Sequence, residues 1–107
     1  MTTIEMTAEE QTKLAAMVAE LHDHGYPDVE EHRGLRVGTR IRHVGHQWTE
    51  AYQAGTGVVV ALTQKRNSSW SQSWGRPDVE LIALWDREQV EGRLSQLAQY
   101  HVEVIEP

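Results

Sequence analysis

The spacing of apolar residues changes along this 107-residue chain from the repeat of an α-helix to the repeat of a β-strand. Residues 7–24 follow the i, i+3, i+4, i+7 spacing of one helix face, with apolar side chains at Leu14, Met17, Val18 and Leu21. Thr7 followed by Glu10 matches a capping box at the helix start, and Gly25 with Pro27 marks its end. We therefore predict one amphipathic helix whose narrow apolar stripe packs on another element.

From residue 35 onward, apolar and polar residues alternate with the period of two that is typical of half-buried strands. The pattern predicts four strands, over residues 35–43, 57–63, 79–85 and 101–105. The spacing of apolar residues over 87–100 predicts a second, short helix, although Gly92 has a low helix propensity. Two polar stretches, 44–56 and 64–77, are predicted to form long loops.

A helix with four or five short strands predicts a single α+β domain over residues 1–107. We expect a small antiparallel SH3-like β-barrel over residues 35–106, with the N-terminal helix packed against it. Closing a sheet into a barrel removes the edges that short strands would otherwise expose.

Three segments resemble the SH3-like barrel modules of the KOW and Mind-bomb type: Val37-Gly38-Thr39-Arg40-Ile41, Gly55-Thr56-Gly57-Val58-Val59-Val60 and Ile82-Ala83-Leu84-Trp85-Asp86. The resemblance covers residues 35–86, about half of the chain, and implies the barrel fold. The loop at 64–77 is longer than those modules usually have. Residues 42–48 and 69–78 are similar to small uncharacterised proteins of actinobacteria and their phages, which implies a phage accessory protein without an assigned activity.

The net charge of -6 conceals three blocks of different sign. Residues 1–32 carry eight acidic residues and one basic, and residues 77–107 carry seven acidic and two basic. Between them, the basic middle section (residues 33–76) carries seven basic residues and one acidic. This section is either a surface that faces an anion or a region that the acidic flanks neutralise within one compact domain.

Composition excludes several classes of protein. The chain has no Cys, which rules out disulfides, thiolate zinc sites and a Cys nucleophile. It has no apolar run of about 18 residues and no secretory signal pattern at its start, so we predict no membrane contact and a cytoplasmic location.

Aromatic and basic residues lie together in the predicted loops and on the first strand. Flat rings stack on bases, prolines or peptides, and guanidinium groups hold phosphates or carboxylates. The predicted binding surface, called here the Trp/Arg surface, consists of Arg40, Arg42, Trp48, Tyr52, Arg66, Trp70, Trp74 and Arg76. Trp85 lies on a predicted strand, and we assign it to the core.

These features predict a non-catalytic binding module for a protein or peptide, without a cofactor. One alternative is a nucleic-acid-binding SH3-like domain. A further alternative is a small hydrolase, in which His43 or His46 would act with Glu50 and a loop serine, or a metal-binding protein, in which His43 and His46 would be ligands. No catalytic or phosphate-binding motif supports that alternative. The apolar stripe of the helix could also dock a second copy, which leaves a homodimer open.

Overall fold

The computed structural model of the protein describes residues 6–44, 55–65, 78–89 and 92–106. Its elements are α1 (Ala8–Asp23), β1 (Arg40–His43), β2 (Thr56–Lys65), β3 (Asp78–Gln89), β4 (Gly92–Ala98), a single-turn 3₁₀ helix (Gln99–His101) and β5 (Val102–Glu106). The five strands form one antiparallel sheet in the order β4-β3-β2-β1-β5. The predicted combination of one N-terminal helix with an antiparallel sheet is therefore confirmed.

The helix begins and ends at the residues that its sequence signals indicate. The Thr7 N–H donates to Glu10 Oε1 at 2.9 Å, and the Glu10 N–H donates to Thr7 Oγ1 at 3.1 Å, which completes the capping box. After His24, Gly25 has a φ of +87°, the left-handed conformation that terminates many helices.

Both faces of the sheet are covered. On one face α1 packs its apolar stripe over Val58, Ala61, Ile82, Leu84 and Leu94. On the other face a second cluster includes Leu35, Ile41, Val59, Leu81 and Trp85, the last of which is 2% exposed. Burial on both faces explains the continuous apolar runs in β2 and β3, and it confirms Trp85 as a core residue.

The two edge strands, β4 and β5, are joined by only the three residues Gln99–His101. In a flat five-stranded sheet the edges would lie about 19 Å apart, whereas three residues of 3₁₀ helix span about 6 Å. The sheet must therefore curl, and Leu97 of β4 shares one buried cluster with Val102 of β5. No strand pairing joins β4 to β5 in the described ranges, so the sheet is open and the predicted closed barrel is not confirmed.

The prediction of a second helix over residues 87–100 is wrong. β3 continues to Gln89, and β4 occupies Gly92–Ala98. Leu94 and Leu97 suit a helix by their spacing of three, but here they point to opposite faces of a strand. Gly92, with a φ of +95°, begins β4 as the register partner of Gln89 in β3.

The first strand is shorter than the alternation over residues 35–43 predicts. Two turns with positive φ at Arg33, Gly34 and Gly38 precede β1, which begins only at Arg40. Val37 consequently lies on the surface rather than beside Leu35 in the core. Within the part of the chain that the structure describes, no helix is long and apolar enough to cross a membrane.

Candidate functional site

The candidate site is built around β1, whose outward side chains meet polar groups of β2, β3 and β5. Arg42 is the register partner of Thr56 on β2 and of Glu103 on β5. The guanidinium group of Arg40 extends across β2 to the carboxylate of Asp86 in β3. We call these five residues the polar row.

Arg40 is held by a two-point ion pair with Asp86. Its Nη1 donates to Oδ1 at 3.1 Å and its Nη2 donates to Oδ2 at 2.6 Å. The Thr56 hydroxyl donates to the same Oδ2 at 2.5 Å. The hydrogen bond from Arg40 is the main cause that lowers the pKa of Asp86, although partial burial of the carboxyl opposes it. A ligand anion would have to displace this carboxylate in order to reach Arg40.

Arg42 forms an ion pair with Glu103 on the neighbouring strand, and both side chains are exposed. A third arginine, Arg93 of β4, pairs with Glu10 of α1. In each pair the acidic residue comes from one of the acidic flanks. Arg40 and Arg42 belong to the basic middle section, so their pairs favour the interpretation that a flank neutralises part of it. The pair of Arg93 with Glu10, by contrast, joins the two flanks.

The other six members of the Trp/Arg surface lie outside the described residues: Trp48, Tyr52, Arg66, Trp70, Trp74 and Arg76. His46 and Glu50 of the hydrolase alternative, with the loop serines, also lie there. Described residues flank both segments. The His43 N–H donates to Gly55 O at 3.0 Å on either side of residues 45–54, and Lys65 is the register partner of Asp78 on either side of residues 66–77. The two segments are therefore connected to opposite ends of β2, a ten-residue strand that would span about 30 Å if straight.

His43 lies in an aromatic cluster at the base of the first loop. Its side chain is buried, with 5% exposure, and its ring meets the edge of Trp85 at a centroid distance of 5.9 Å. The ring of His101 is nearly parallel to that of His43, at a centroid distance of 6.2 Å. Burial lowers the pKa of His43, and the charge of His101 adds to this effect.

Sequence reasoning considered His43 for the hydrolase alternative but did not place it beside His101. His101 follows β4 at one edge of the sheet, and only the short 3₁₀ connection brings it back to β1, where its carbonyl accepts from the Val44 N–H at 2.8 Å. In the described ranges, no group of three or more His, Asp or Glu side chains is arranged to hold a metal ion.

A second surface feature, which sequence reasoning missed, is the double turn over residues 32–39. Its first turn is a tight hairpin in which the His32 N–H donates to Leu35 O, and the Leu35 N–H donates to His32 O, each at 2.9 Å. Arg33 and Gly34 at its tip have φ values of +51° and +87°, as a type I′ turn requires. The pairs Arg33-Gly34 and Val37-Gly38 were the signal available in the sequence, since Gly supplies positive φ.

No family model, curated protein or solved structure matches the chain. What can be concluded about function therefore comes from the geometry and chemistry described above.

Proposed function

We propose that the protein is a non-catalytic binding module that recognises a protein or peptide through its aromatic loops. The observation that carries the proposal is that described residues of the sheet fix both ends of each tryptophan-bearing segment, residues 45–54 and residues 66–77. His43 and Gly55 are hydrogen-bonded at the base of the first loop, and Lys65 and Asp78 are paired at the base of the second. Binding residues often lie in connecting segments that a rigid scaffold holds in place.

The short link between the two edge strands supports a relationship to SH3-like barrels. A barrel forms when a curled sheet brings its edges together. Here the 3₁₀ connection between β4 and β5 and the shared cluster of Leu97 and Val102 provide that curl. A role as a phage accessory protein and a cytoplasmic location remain predictions from the sequence alone.

A peptide partner is favoured over nucleic acid by the state of the two described arginines of the Trp/Arg surface. Arg40 and Arg42 are both held by carboxylates, so a phosphate would have to replace Asp86 or Glu103. The burial of His43, which also contacts the rings of Trp85 and His101, likewise argues against its use as a general acid or base, which needs access to substrate.

The proposal is tested by selecting peptides from a displayed random library on the immobilised protein. Enriched peptides are then titrated against wild type, Trp70→Ala and Trp74→Ala, with binding followed by tryptophan fluorescence. We expect an affinity loss of at least tenfold in one or both variants, with far-UV circular dichroism unchanged. Undiminished binding by both variants would place the contact elsewhere.

The nucleic-acid alternative is tested in parallel with a 20-nucleotide oligothymidine. Phosphate contacts release counterions, so such binding weakens steeply between 50 and 200 mM salt, by about 300-fold for a single strand with six contacted phosphates. We expect no measurable complex at 50 mM salt. A complex with that salt dependence would favour the alternative over the peptide proposal.

A further inference from the structure

We propose that strand β5 and the double turn beside it form a homodimer interface, in which β5 of a second copy pairs antiparallel with β5. This interface is separate from the Trp/Arg surface and does not depend on the peptide proposal. Four observations on β5 and its neighbours support it.

The first observation is the position of β5 at the edge of the sheet. Its only strand partner in the described ranges is β1. Every second residue of an edge strand points its N–H and C=O outward, where another strand can pair with them. Residues 102–106 contain neither Lys nor Pro, the residues that most often block edge pairing.

The second observation is the location of the exposed apolar side chains. Within the described ranges the large apolar residues on the surface are Val37, Val104 and Ile105, which are 55%, 38% and 41% exposed. Val104 and Ile105 are consecutive on β5 and therefore occupy its two faces. The double turn lies beside them, because a Cβ placed on Gly34 would be 3.9 Å from Val104 Cγ2.

The third observation is the charge beside this edge. Three described arginines form ion pairs with carboxylates, namely Arg40, Arg42 and Arg93. Arg33 and Arg36 take part in none of these three pairs. Arg33 also holds a φ of +51°, which costs a residue other than Gly, Asn or Asp about 1 kcal/mol. With Glu31, whose Oε1 accepts the Gly34 N–H at 2.7 Å, the double turn holds two basic residues and one acidic residue. This balance lowers the repulsion between two copies of a chain whose net charge is -6.

The fourth observation is that β5 is complementary to itself. In an antiparallel register centred on Val104, Glu103 of each copy lies opposite Ile105 of the other, so their carboxylates do not face each other. Glu103 is moreover neutralised by Arg42 within its own copy. Such a pairing is isologous and closes as a two-fold dimer, without further growth along this edge.

The experiment is sedimentation equilibrium of the whole protein from 5 µM to 1 mM at 150 mM salt. For wild type we expect the weight-average mass to rise with concentration to twice that of the monomer. Val104→Lys should weaken dimerisation at least tenfold, because it places a charge in the centre of the pairing. The matched control is Gln96→Lys, the same new side chain at an exposed position of the opposite edge strand β4, which should dimerise like wild type.

Wild type that stays monomeric at 1 mM would overturn the proposal, as would equal dimerisation of Val104→Lys and wild type. A loss of dimer in Gln96→Lys equal to that in Val104→Lys would also overturn it. If Val104→Lys does not fold, a mixed isotope-labelled sample of wild type decides the question. Nuclear Overhauser contacts between the β5 strands of two copies are expected, and a dimer without them would refute this interface.

Discussion

The ion pair between Glu10 and Arg93 ties the first turn of α1 to the edge strand β4. Arg93 Nε donates to Glu10 Oε2 at 2.8 Å, and Arg93 Nη2 donates to Glu10 Oε1 at 2.5 Å. The same carboxylate accepts the Thr7 N–H of the capping box. The hydrogen bond from Arg93, followed by that from Thr7, lowers the pKa of Glu10 from 4.5 to about 2.

Replacing Glu10 by Gln removes the charge but keeps an oxygen that can accept the Thr7 N–H. A fall of about 2.5 in pKa corresponds to at most about 3.4 kcal/mol, since one pKa unit equals about 1.4 kcal/mol. The pair lines an open groove of about 500 Å³ between Thr7, Lys13 and Gly92, so water weakens the attraction. We therefore expect Glu10→Gln to lower the free energy of unfolding by about 1–2 kcal/mol at pH 7.

The assay is urea unfolding of wild type and Glu10→Gln at several pH values. A carboxyl whose pKa is depressed in the folded state stabilises the fold above its unfolded pKa of about 4.5, and this contribution disappears as the pH falls through about 2. The two proteins should differ at pH 7 and converge near pH 2. Glu9→Gln is the control, because Glu9 is exposed on the same turn and should change stability by less than 0.5 kcal/mol. A difference below about 0.5 kcal/mol at pH 7, or one that persists at pH 2, would refute the reasoning.

Three further predictions concern stability. Gly57→Ala should lower the free energy of unfolding in urea by about 2–3 kcal/mol, because the new Cβ would lie 2.7 Å from the Leu84 carbonyl oxygen and 2.8 Å from Trp85 Cε3. A decrease below about 1 kcal/mol would contradict this close packing. Arg33→Asn should raise the free energy of unfolding by about 0.5–1 kcal/mol in thermal melts, because Asn tolerates the positive φ, and a loss of stability would argue against the turn geometry. Folding lowers the pKa of His43, so wild type should lose stability as the pH falls through the pKa of about 6.5 that this residue has in the unfolded chain. His43→Leu should lose less free energy of unfolding between pH 7.5 and 5. An unchanged pH dependence in this variant would show that His43 is not responsible.

The elements that the sequence predicts well are those with strong local signals. The capping box at Thr7 and the positive φ of Gly25 set the ends of α1 without help from the rest of the chain. The apolar runs within β2 and β3 are long enough to identify both strands, and Trp85 falls in the core as the alternation implies. Local preference and tertiary packing agree at these positions.

The segments that the sequence misassigns are those in which local patterns are ambiguous. In β4 two leucines at a spacing of three fit a helix face, but the sheet uses them on its two sides, one for each buried cluster. Before β1, the alternation is interrupted by Gly34 and Gly38, whose positive φ values turn the chain twice. The alternation of apolar and polar residues over residues 35–43 does not reveal such turns.

The candidate site could be predicted only in part, because its partners come from distant parts of the chain. Arg40 and Asp86 are separated by 46 residues, and Glu10 and Arg93 by 83. Charge counting along the sequence identifies the blocks but not which residues meet. The parallel rings of His43 and His101 depend in the same way on the curl of the sheet.

The pairing of distant charges also changes what the basic middle section implies about ligands. Arg40 and Arg42 supply positive charge on β1, but Asp86 and Glu103 compensate it within hydrogen-bond distance. A phosphate approaching this face meets a nearly neutral polar row, and beyond about 8 Å the charge of any other group is largely screened at physiological salt. Arg33 and Arg36 form none of these pairs, but the Glu31 carboxylate lies in the same turn, where it accepts the Gly34 N–H. The neutral polar row therefore argues against phosphate binding at β1, and a protein or peptide partner stays a proposal.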